Sequence, residues 1–260
     1  MKKLNFIIKY GLALLLLSFY SCESWLNVTP SDRLSEEMLF NDREGFVKAL
    51  NGVYIELNTN ELYGRNLTAG ALDVMGQYYS VASSSHAFYN YGGLVYTGND
   101  EKALFDNMWQ KCYAVIACCN TIIEKCDENK AGLSPVWRGS IKGEALALRA
   151  MLHFDMLRLF GPLTSELDKE SIPYQTNSDQ TVTPLLSGSE VIGLILDDLK
   201  NAVGLLKDTD PYFVEEEFSD TDLNYRRFRM NYFAQRNSSD FLKSNSGSMM
   251  NVRSSKRKLG

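Results

Sequence analysis

Several features that would identify an enzyme or a metalloprotein are scarce in this sequence. Only two histidines, His86 and His153, occur in 260 residues. We find neither a glycine-rich phosphate loop nor a nucleophile motif, so nucleotide binding and covalent catalysis are not indicated. No apolar run reaches the roughly 20 residues that a membrane-spanning helix needs. The sequence therefore predicts a protein that is not an enzyme and that uses no metal or other cofactor.

The cysteines that follow residue 22 offer no disulfide framework, because all of them fall within one predicted helix. Helix positions seven apart lie about 10 Å apart along the axis, which exceeds the roughly 7 Å limit for a disulfide. No histidine accompanies them at zinc-ligand spacing. We therefore predict four small apolar core residues: Cys112, Cys118, Cys119 and Cys126.

Positive charge is sparse in the main part of the chain. Between Cys22 and Ala234, Lys and Arg number 18 and Asp and Glu number 31, which gives a net charge of −13. A surface this acidic repels phosphate backbones, so nucleic acid is not an expected partner. Neutral or polar ligands are favoured instead.

The N-terminus has the pattern of a lipoprotein signal peptide. Three lysines precede an apolar run from Tyr10 to Tyr20, and Cys22 follows at a lipobox-like end. We predict that residues 1–21 are removed and that the Cys22 thiol is lipidated, since two or more acyl chains anchor a protein stably in a bilayer. Phe19 stands where a lipobox typically has Leu, so cleavage by ordinary signal peptidase is the alternative.

Hydrophobic periodicity predicts a mostly α-helical chain. A first helix is predicted from a cap at Ser35 to about Asn58. The residues from Tyr63 to Asp100 are rich in Gly, Ser, Asn and Tyr and lack a sustained period, which predicts a long ordered loop with short elements. A second helix is predicted from about Glu101 to Glu128.

A third helix is predicted to begin after the Ser134 cap and to end at Gly161-Pro162. It is apolar nearly all round, so we expect it to be buried on several sides, with Ala150 and Phe154 at helix contacts. Together with the second helix it suggests tetratricopeptide-like hairpins, although a strict repeat is absent.

A fourth helix is predicted from Ser187 to Leu206, and a further one is predicted to start near Arg229. On the fourth, the adjacent Asp197 and Asp198 are expected on the polar face. Its apolar stripe is predicted to contain five residues: Val191, Ile195, Leu199, Ala202 and Leu206.

Several separate segments together resemble one known family. They are Glu44-Gly45-Phe46, Asn51-Gly52-Val53-Tyr54, the Trp109, Tyr113, Ile116 and Asn120 spacing, and above all the run from Gly143-Glu144-Ala145 through Leu148-Arg149-Ala150 and His153-Phe154 to Gly161-Pro162. This pattern is similar to that of the SusD-like (RagB/SusD) lipoproteins, which capture nutrients at the outer membrane of Bacteroidetes. The resemblance extends from Cys22 to Ala234, which we take as the N-terminal helical domain of that family.

The resemblance implies binding without chemistry. It implies capture of an oligosaccharide or a peptide at the outer membrane and its transfer to a SusC-type TonB-dependent β-barrel transporter. Members of the family are about twice as long as this chain, so the fold is expected to be incomplete and its activity impaired. Residues 235–260 lack a helical period and are predicted to be a disordered or out-of-frame tail.

The candidate ligand surface is the loop from Tyr63 to Asp100. Aromatic faces stack on sugar rings, while neighbouring amides supply hydrogen-bond partners for hydroxyl groups. The alternative is that these rings pack the loop onto the helices, and His86 in the same loop is expected to have no specific role. The proposed ligand contacts are four tyrosines: Tyr78, Tyr79, Tyr89 and Tyr91.

Two other functions stay open on the residues alone. Helix pairs would suit a tetratricopeptide-type scaffold that binds a protein partner. A glycoside hydrolase would need two carboxylates across a cleft, and no such pair can be assigned from the sequence. His153 lies on the predicted buried helix and is expected to be a hydrogen-bonded core residue.

Overall fold

A computed structural model of the protein describes residues 36–179 and 181–210. The chain divides into two compact units, residues 1–39 and residues 40–260. Of the first unit, the described part is the four-residue helix α1, Glu36–Leu39. The predicted signal peptide, Cys22, the helix near Arg229 and the tail 235–260 lie outside the described residues.

The first helix of the second unit is α2, Arg43–Leu57. The Asp42 side chain accepts a hydrogen bond from the Gly45 amide at 2.8 Å, so α2 begins with its own N-cap. The prediction of one continuous helix from Ser35 to about Asn58 is therefore wrong, because the chain leaves helical geometry after Leu39 and becomes helical again at Arg43.

Residues 58–98 form a long segment of turns with two short helices, α3 (Ala71–Met75) and α4 (Tyr89–Gly92). This confirms the prediction of an ordered loop with short elements. The two short helices contact each other.

Two long helices follow, α5 (Asn99–Glu128) and α6 (Pro135–Phe160). The Ser134 hydroxyl accepts from the Trp137 amide at 3.3 Å, with proline in the first turn, as predicted. A six-residue connection, 129–134, joins α5 and α6, and the two helices are in contact. They form the predicted helical hairpin.

After α6 the chain forms a short 3₁₀ turn and then an antiparallel pair of strands, β1 (Glu170–Pro173) and β2 (Leu185–Ser187). Ser187 caps the last helix of the described chain, α7 (Gly188–Thr209), in a capping box with Glu190. The strands pair Glu170 with Ser187, so the chain enters α7 directly beside the end of α6.

Helix α6 lies at the centre, with α5 and α7 packed against it and α2 packed against both α5 and α6. Gly139 and Gly143 allow the close approach of α7, because a Cβ at either position would lie 2.7 Å from the Thr209 or Leu206 side chain. No helix among the residues described is both long enough and apolar enough to span a membrane.

The core includes Leu152 and Met156 of α6, but burial differs from the predictions at three positions. Phe154 is 46% exposed, so α6 has one open face and Phe154 is not at a helix contact. Leu199 is also exposed. Cys118 is exposed, whereas the other three cysteines of α5 are buried as predicted.

Candidate ligand-binding surface

The loop that carries the candidate tyrosines is held in a defined shape by Gln77. The Gln77 side-chain amide donates to the carbonyl oxygen of Gly92 at 3.0 Å and to that of Val74 at 3.3 Å. It therefore connects the end of α3 to the end of α4. The Gln77 backbone has φ of 61°, a left-handed conformation that non-glycine residues adopt at a cost. Next to it, a Cβ at Gly76 would lie 3.1 Å from the Tyr78 ring.

Tyr91 anchors the loop from inside. Its side chain is only 2% exposed, and its ring contacts Phe88, Phe105 and Tyr96 with centroid distances of 5.8, 6.0 and 6.3 Å. Burial raises the pKa of the Tyr91 phenol, and the nearby Glu101 carboxylate raises it further. In this arrangement the Tyr91 ring packs the loop onto α5, which is the alternative role considered for these tyrosines.

A buried carboxylate connects α4 to the first turn of α5. Asn90 donates from its side-chain amide to Glu101 at 2.8 Å, and Glu101 is almost completely buried. An acidic side chain in the first turn of a helix interacts favourably with the helix dipole. Glu101 is thus committed to holding the loop on α5.

Tyr78, Tyr79 and Tyr89 differ from Tyr91 because their side chains are in solvent. Tyr78 is 80% exposed, and the other two are exposed by almost half. Leu94 and Val95 of the same loop are exposed as well. An amphipathic ring on an anchored backbone is the type of surface that stacks on a planar or ring-shaped ligand and hydrogen-bonds through its hydroxyl group.

His86 has a local role in this loop. Its Nδ1 accepts a hydrogen bond from the Phe88 amide at 3.1 Å, and its ring contacts the Phe88 ring at 5.8 Å. The Arg65 guanidinium lies 5.8 Å from the centroid of the same ring. These contacts stabilise a turn of the loop.

The anchoring rings continue from the loop into the helical core. Phe105 contacts Phe160 at 6.2 Å, Phe160 contacts Trp109 at 5.1 Å, and Trp109 contacts Tyr113 at 4.7 Å. The first two contacts are edge-to-face, and contacts of that kind are worth about 0.5–1.5 kcal/mol each beyond area burial. The loop is therefore attached to α5 and to the end of α6 by a continuous aromatic cluster.

A second group of polar residues, in the interior, was only partly anticipated. Arg149 donates from Nε and from one terminal nitrogen to the two oxygens of Asp198, at 2.7 Å in both cases, and both residues are buried. The prediction that Asp198 lies on the polar face of its helix is wrong. A signal was present, because Val191, Ile195, Asp198 and Ala202 have the helical spacing of one face.

The same group holds the chain that follows β1. The Arg149 guanidinium also donates to the Asn120 side-chain oxygen at 2.8 Å, and Asn120 donates to the carbonyl oxygens of Gln175 and Asn177. The Tyr174 hydroxyl donates to Asp198 at 2.6 Å. Helices α5, α6 and α7 thus meet the segment 174–177 through one buried hydrogen-bond network.

His153 completes this network and is a core residue, as predicted. Its Nδ1 lies 2.9 Å from the Arg149 carbonyl oxygen, and its Nε2 accepts from the Gln175 amide at 3.0 Å. The ring also stacks on Tyr174 with a centroid distance of 3.9 Å. Burial lowers the pKa of His153 to about 4. With both nitrogens engaged, the imidazole has a structural role.

No group of three His, Cys, Asp or Glu residues that could hold a metal ion occurs within residues 36–179 and 181–210. The exposed face of the loop stays the candidate ligand surface, whereas the Arg149 network is enclosed.

Comparison with known families identifies related proteins. Residues 24–219 match a SusD-like family model described as starch-binding and associating with the outer membrane. Two SusD-like proteins of Formosa agariphila are 27% and 26% identical to the chain over 199 and 166 residues, or 70% and 62% of it. These matches cover 34% and 30% of the relatives, so the chain spans about a third of their length.

Two solved structures share the helical fold. One is a SusD superfamily protein of Bacteroides thetaiotaomicron, 20% identical, with a TM-score of 0.50 over 63% of this chain and 37% of that one. The other, from Bacteroides vulgatus, is described as sugar-binding and is 23% identical, with a TM-score of 0.52 over 64% of this chain and 37% of that one. These likenesses confirm the predicted fold class, which is mostly α with tetratricopeptide-like helical hairpins.

Proposed function

Because this chain belongs to the SusD-like family, we propose that it binds a glycan at the outer membrane and does not cleave it. The matching family model is described as starch-binding and one similar solved structure as sugar-binding, which supports a carbohydrate ligand here. A peptide ligand is the alternative within the same proposal.

The observation that carries the proposal is the exposure of Tyr78, Tyr79 and Tyr89 on a loop that is fixed from inside by Tyr91 and Gln77. A pre-shaped aromatic surface loses little conformational entropy when it binds, so preorganisation favours capture of a sugar ring. The net charge of −13 between Cys22 and Ala234 favours a neutral glycan over an acidic one.

The finer steps belong to the same proposal. We propose that the bound glycan passes next to a SusC-type TonB-dependent β-barrel transporter, because a shallow surface releases its ligand readily. Outer-membrane lipid is the third partner, through acyl chains on Cys22. The segment 1–21 would then be the signal peptide.

Calorimetry on residues 22–260 against a panel of neutral glycans, acidic glycans and peptides tests the ligand class. The matched comparison is a SusD-like relative of full family length. We expect binding of a neutral oligosaccharide by the longer protein and weaker binding by this chain, which spans about a third of the length of the relatives it matches. Release of reducing sugar by either protein would contradict a binding-only function, and selective peptide binding would contradict a glycan ligand.

The anchor is tested separately with Cys22→Ala. Wild-type protein produced in a Bacteroidetes host should fractionate with the outer membrane and carry the mass of acyl chains on Cys22. The variant should lose both properties. Wild-type protein that carries no acyl mass would leave ordinary signal-peptidase cleavage as the correct interpretation.

A further inference from the structure

The turn at the end of α3 determines where the Tyr78 ring lies. Gly76 follows this helix with φ of −72° and ψ of 0°, a conformation that alanine also adopts in turns. A Cβ at Gly76 would nevertheless lie only 3.1 and 3.2 Å from two ring carbons of Tyr78. The Tyr78 ring therefore rests against the Gly76 backbone, in space that a side chain at position 76 would reduce. The rest of the ring is in solvent, since Tyr78 is 80% exposed.

The next residue, Gln77, holds this turn on α4. Its side-chain nitrogen donates to the carbonyl oxygen of Val74 in α3 at 3.3 Å and to that of Gly92 in α4 at 3.0 Å. A carboxamide nitrogen has two hydrogens, so each carbonyl oxygen receives one. Gly92 lies one helical turn from Tyr89 in α4. Gln77 therefore fixes the backbone of Tyr78 relative to that of Tyr89.

Unfavourable backbone conformations are concentrated around this turn. Among the residues that the structure describes, three other than glycine have a left-handed φ, and two of them, Gln77 at 61° and Leu94 at 57°, belong to this loop. The third, Asn129, is the C-terminal cap of α5, where asparagine is common. Left-handed residues other than glycine persist only where the surrounding contacts require them, and they cluster at ligand sites.

We propose that Gly76 and Gln77 are positioning residues of the candidate ligand surface. Gly76 leaves room for the Tyr78 ring, and Gln77 holds that ring at a fixed separation from Tyr89. This inference rests on the proposed function, because it concerns the same aromatic surface. A sugar chain that stacks on two rings needs them at a matching separation, and a separation set in advance lowers the entropic cost of binding.

Gly76→Ala tests the role of Gly76. The urea midpoint should be no lower than in the wild type, because the backbone accepts alanine and the exposed ring can move into solvent. The affinity of residues 22–260 for maltohexaose, a neutral α-glucan, should fall several-fold in an NMR titration. The matched control is Gly193→Ala in α7, where a Cβ would meet no atom within 4 Å. That control should leave the affinity unchanged, and equal affinities in the two variants would contradict the role of Gly76.

A double-mutant cycle shows whether the effect of Gly76→Ala passes through Tyr78. The substitution should lower maltohexaose affinity in the wild type but not in a chain that already carries Tyr78→Ala, because no ring is left to displace. An equal loss in both backgrounds would show that alanine at position 76 disturbs something other than the Tyr78 ring, and it would overturn the proposal.

Two substitutions of Gln77 test its hydrogen bonds. Gln77→Met has a similar length but no donor, whereas Gln77→Lys keeps a donor for the two carbonyl oxygens. Both variants retain a Cβ, so the unfavourable backbone at position 77 is the same in each. Gln77→Met should lower maltohexaose affinity several-fold, and Gln77→Lys should keep most of it. Equal losses in the two variants would contradict the role of the hydrogen bonds.

A readout without ligand separates this inference from the proposed function. The Gly76 α-proton that faces the Tyr78 ring should have an NMR resonance displaced by the ring current. The displacement should vanish in Tyr78→Ala and decrease in Gln77→Met. An undisplaced resonance in the wild type, or a displacement that Gln77→Met leaves intact, would overturn the positioning roles. A wild type that shows these displacements but binds no maltohexaose would instead count against the proposed glycan function.

Discussion

The guanidinium of Arg149 and the carboxylate of Asp198 form a two-point salt bridge between helices α6 and α7, with both N–O distances at 2.7 Å. Both residues are buried, and Asn120 and Tyr174 saturate much of their remaining hydrogen-bonding capacity. The longest segment of the family pattern, residues 143–162, therefore contains at its centre a residue, Arg149, whose role in the structure is to connect two helices. This salt bridge fixes α7 and the segment 174–177 on α6, and its two side chains are enclosed.

Replacing Asp198 with Asn should destabilise the protein by about 3–5 kcal/mol, because the buried Arg149 charge loses its partner. The matched control is Asp197→Asn, at the neighbouring position, where an exposed ion pair with Lys200 at 3.2 Å is removed. That change should cost less than about 1 kcal/mol. Urea unfolding measures both values, and similar losses in the two variants would contradict the role assigned to the buried pair.

Stability should fall as pH decreases through the range in which His153 titrates. The folded pKa of about 4 lies below the ordinary value of 6.5, so the unfolded chain binds more protons between these values. The contribution of His153 is complete above pH 6.5 and is lost progressively toward pH 4, by up to about 3 kcal/mol.

The variant His153→Gln separates this effect from carboxylate titration. It can still accept from the Gln175 amide, but it does not titrate. Urea midpoints measured between pH 5 and pH 7 should decrease more steeply in the wild type than in the variant. Parallel pH curves would show that His153 is protonated in the folded protein as easily as in the unfolded chain.

Two neighbouring positions of α6 should respond differently to alanine. Leu152 is fully buried, so Leu152→Ala should cost about 2–5 kcal/mol through lost burial and a residual cavity. Phe154 is nearly half exposed, and Arg158 lies 5.6 Å from its ring centroid. Phe154→Ala should therefore cost about 1 kcal/mol or less in urea unfolding. A larger loss of unfolding free energy at Phe154 than at Leu152 would show that the Phe154 side of α6 faces the core and would contradict the orientation of α6 given above.

The tyrosines of the loop should divide into two groups when changed to alanine. Tyr78→Ala, Tyr79→Ala and Tyr89→Ala should each leave the unfolding free energy within about 0.5 kcal/mol of wild type. At one or two of these positions glycan affinity should decrease roughly tenfold, equivalent to 1.4 kcal/mol.

Tyr91→Ala should instead destabilise the protein by about 3–5 kcal/mol, as truncation of a buried aromatic residue does. Calorimetry and urea unfolding on the same samples distinguish the two groups. A binding loss at Tyr91 without any loss of stability would restore it as a ligand contact, and full binding by the other three variants would remove this loop from the proposed site.

Local sequence signals predicted the elements whose formation depends on neighbouring residues. The ends of α6 follow from the Ser134-Pro135 cap and the Gly161-Pro162 stop, and both long helices appear where hydrophobic periodicity predicted them. The interruption between Leu39 and Arg43 was missed, because the helical period continues through it and the cap at Asp42 depends on one side-chain rotamer.

The sequence by itself determined that the chain is mostly helical and that the loop from Tyr63 to Asp100 is rich in aromatic residues, since composition and periodicity are properties of the chain alone. Only the tertiary structure decided which side chains are inside. Asp198 is buried because Arg149 and Tyr174 reach it from elsewhere in the chain, and Tyr91 is buried while Tyr78 is not because Phe105 of α5 packs on Tyr91. These contacts join residues far apart in sequence, and local periodicity holds no information about them.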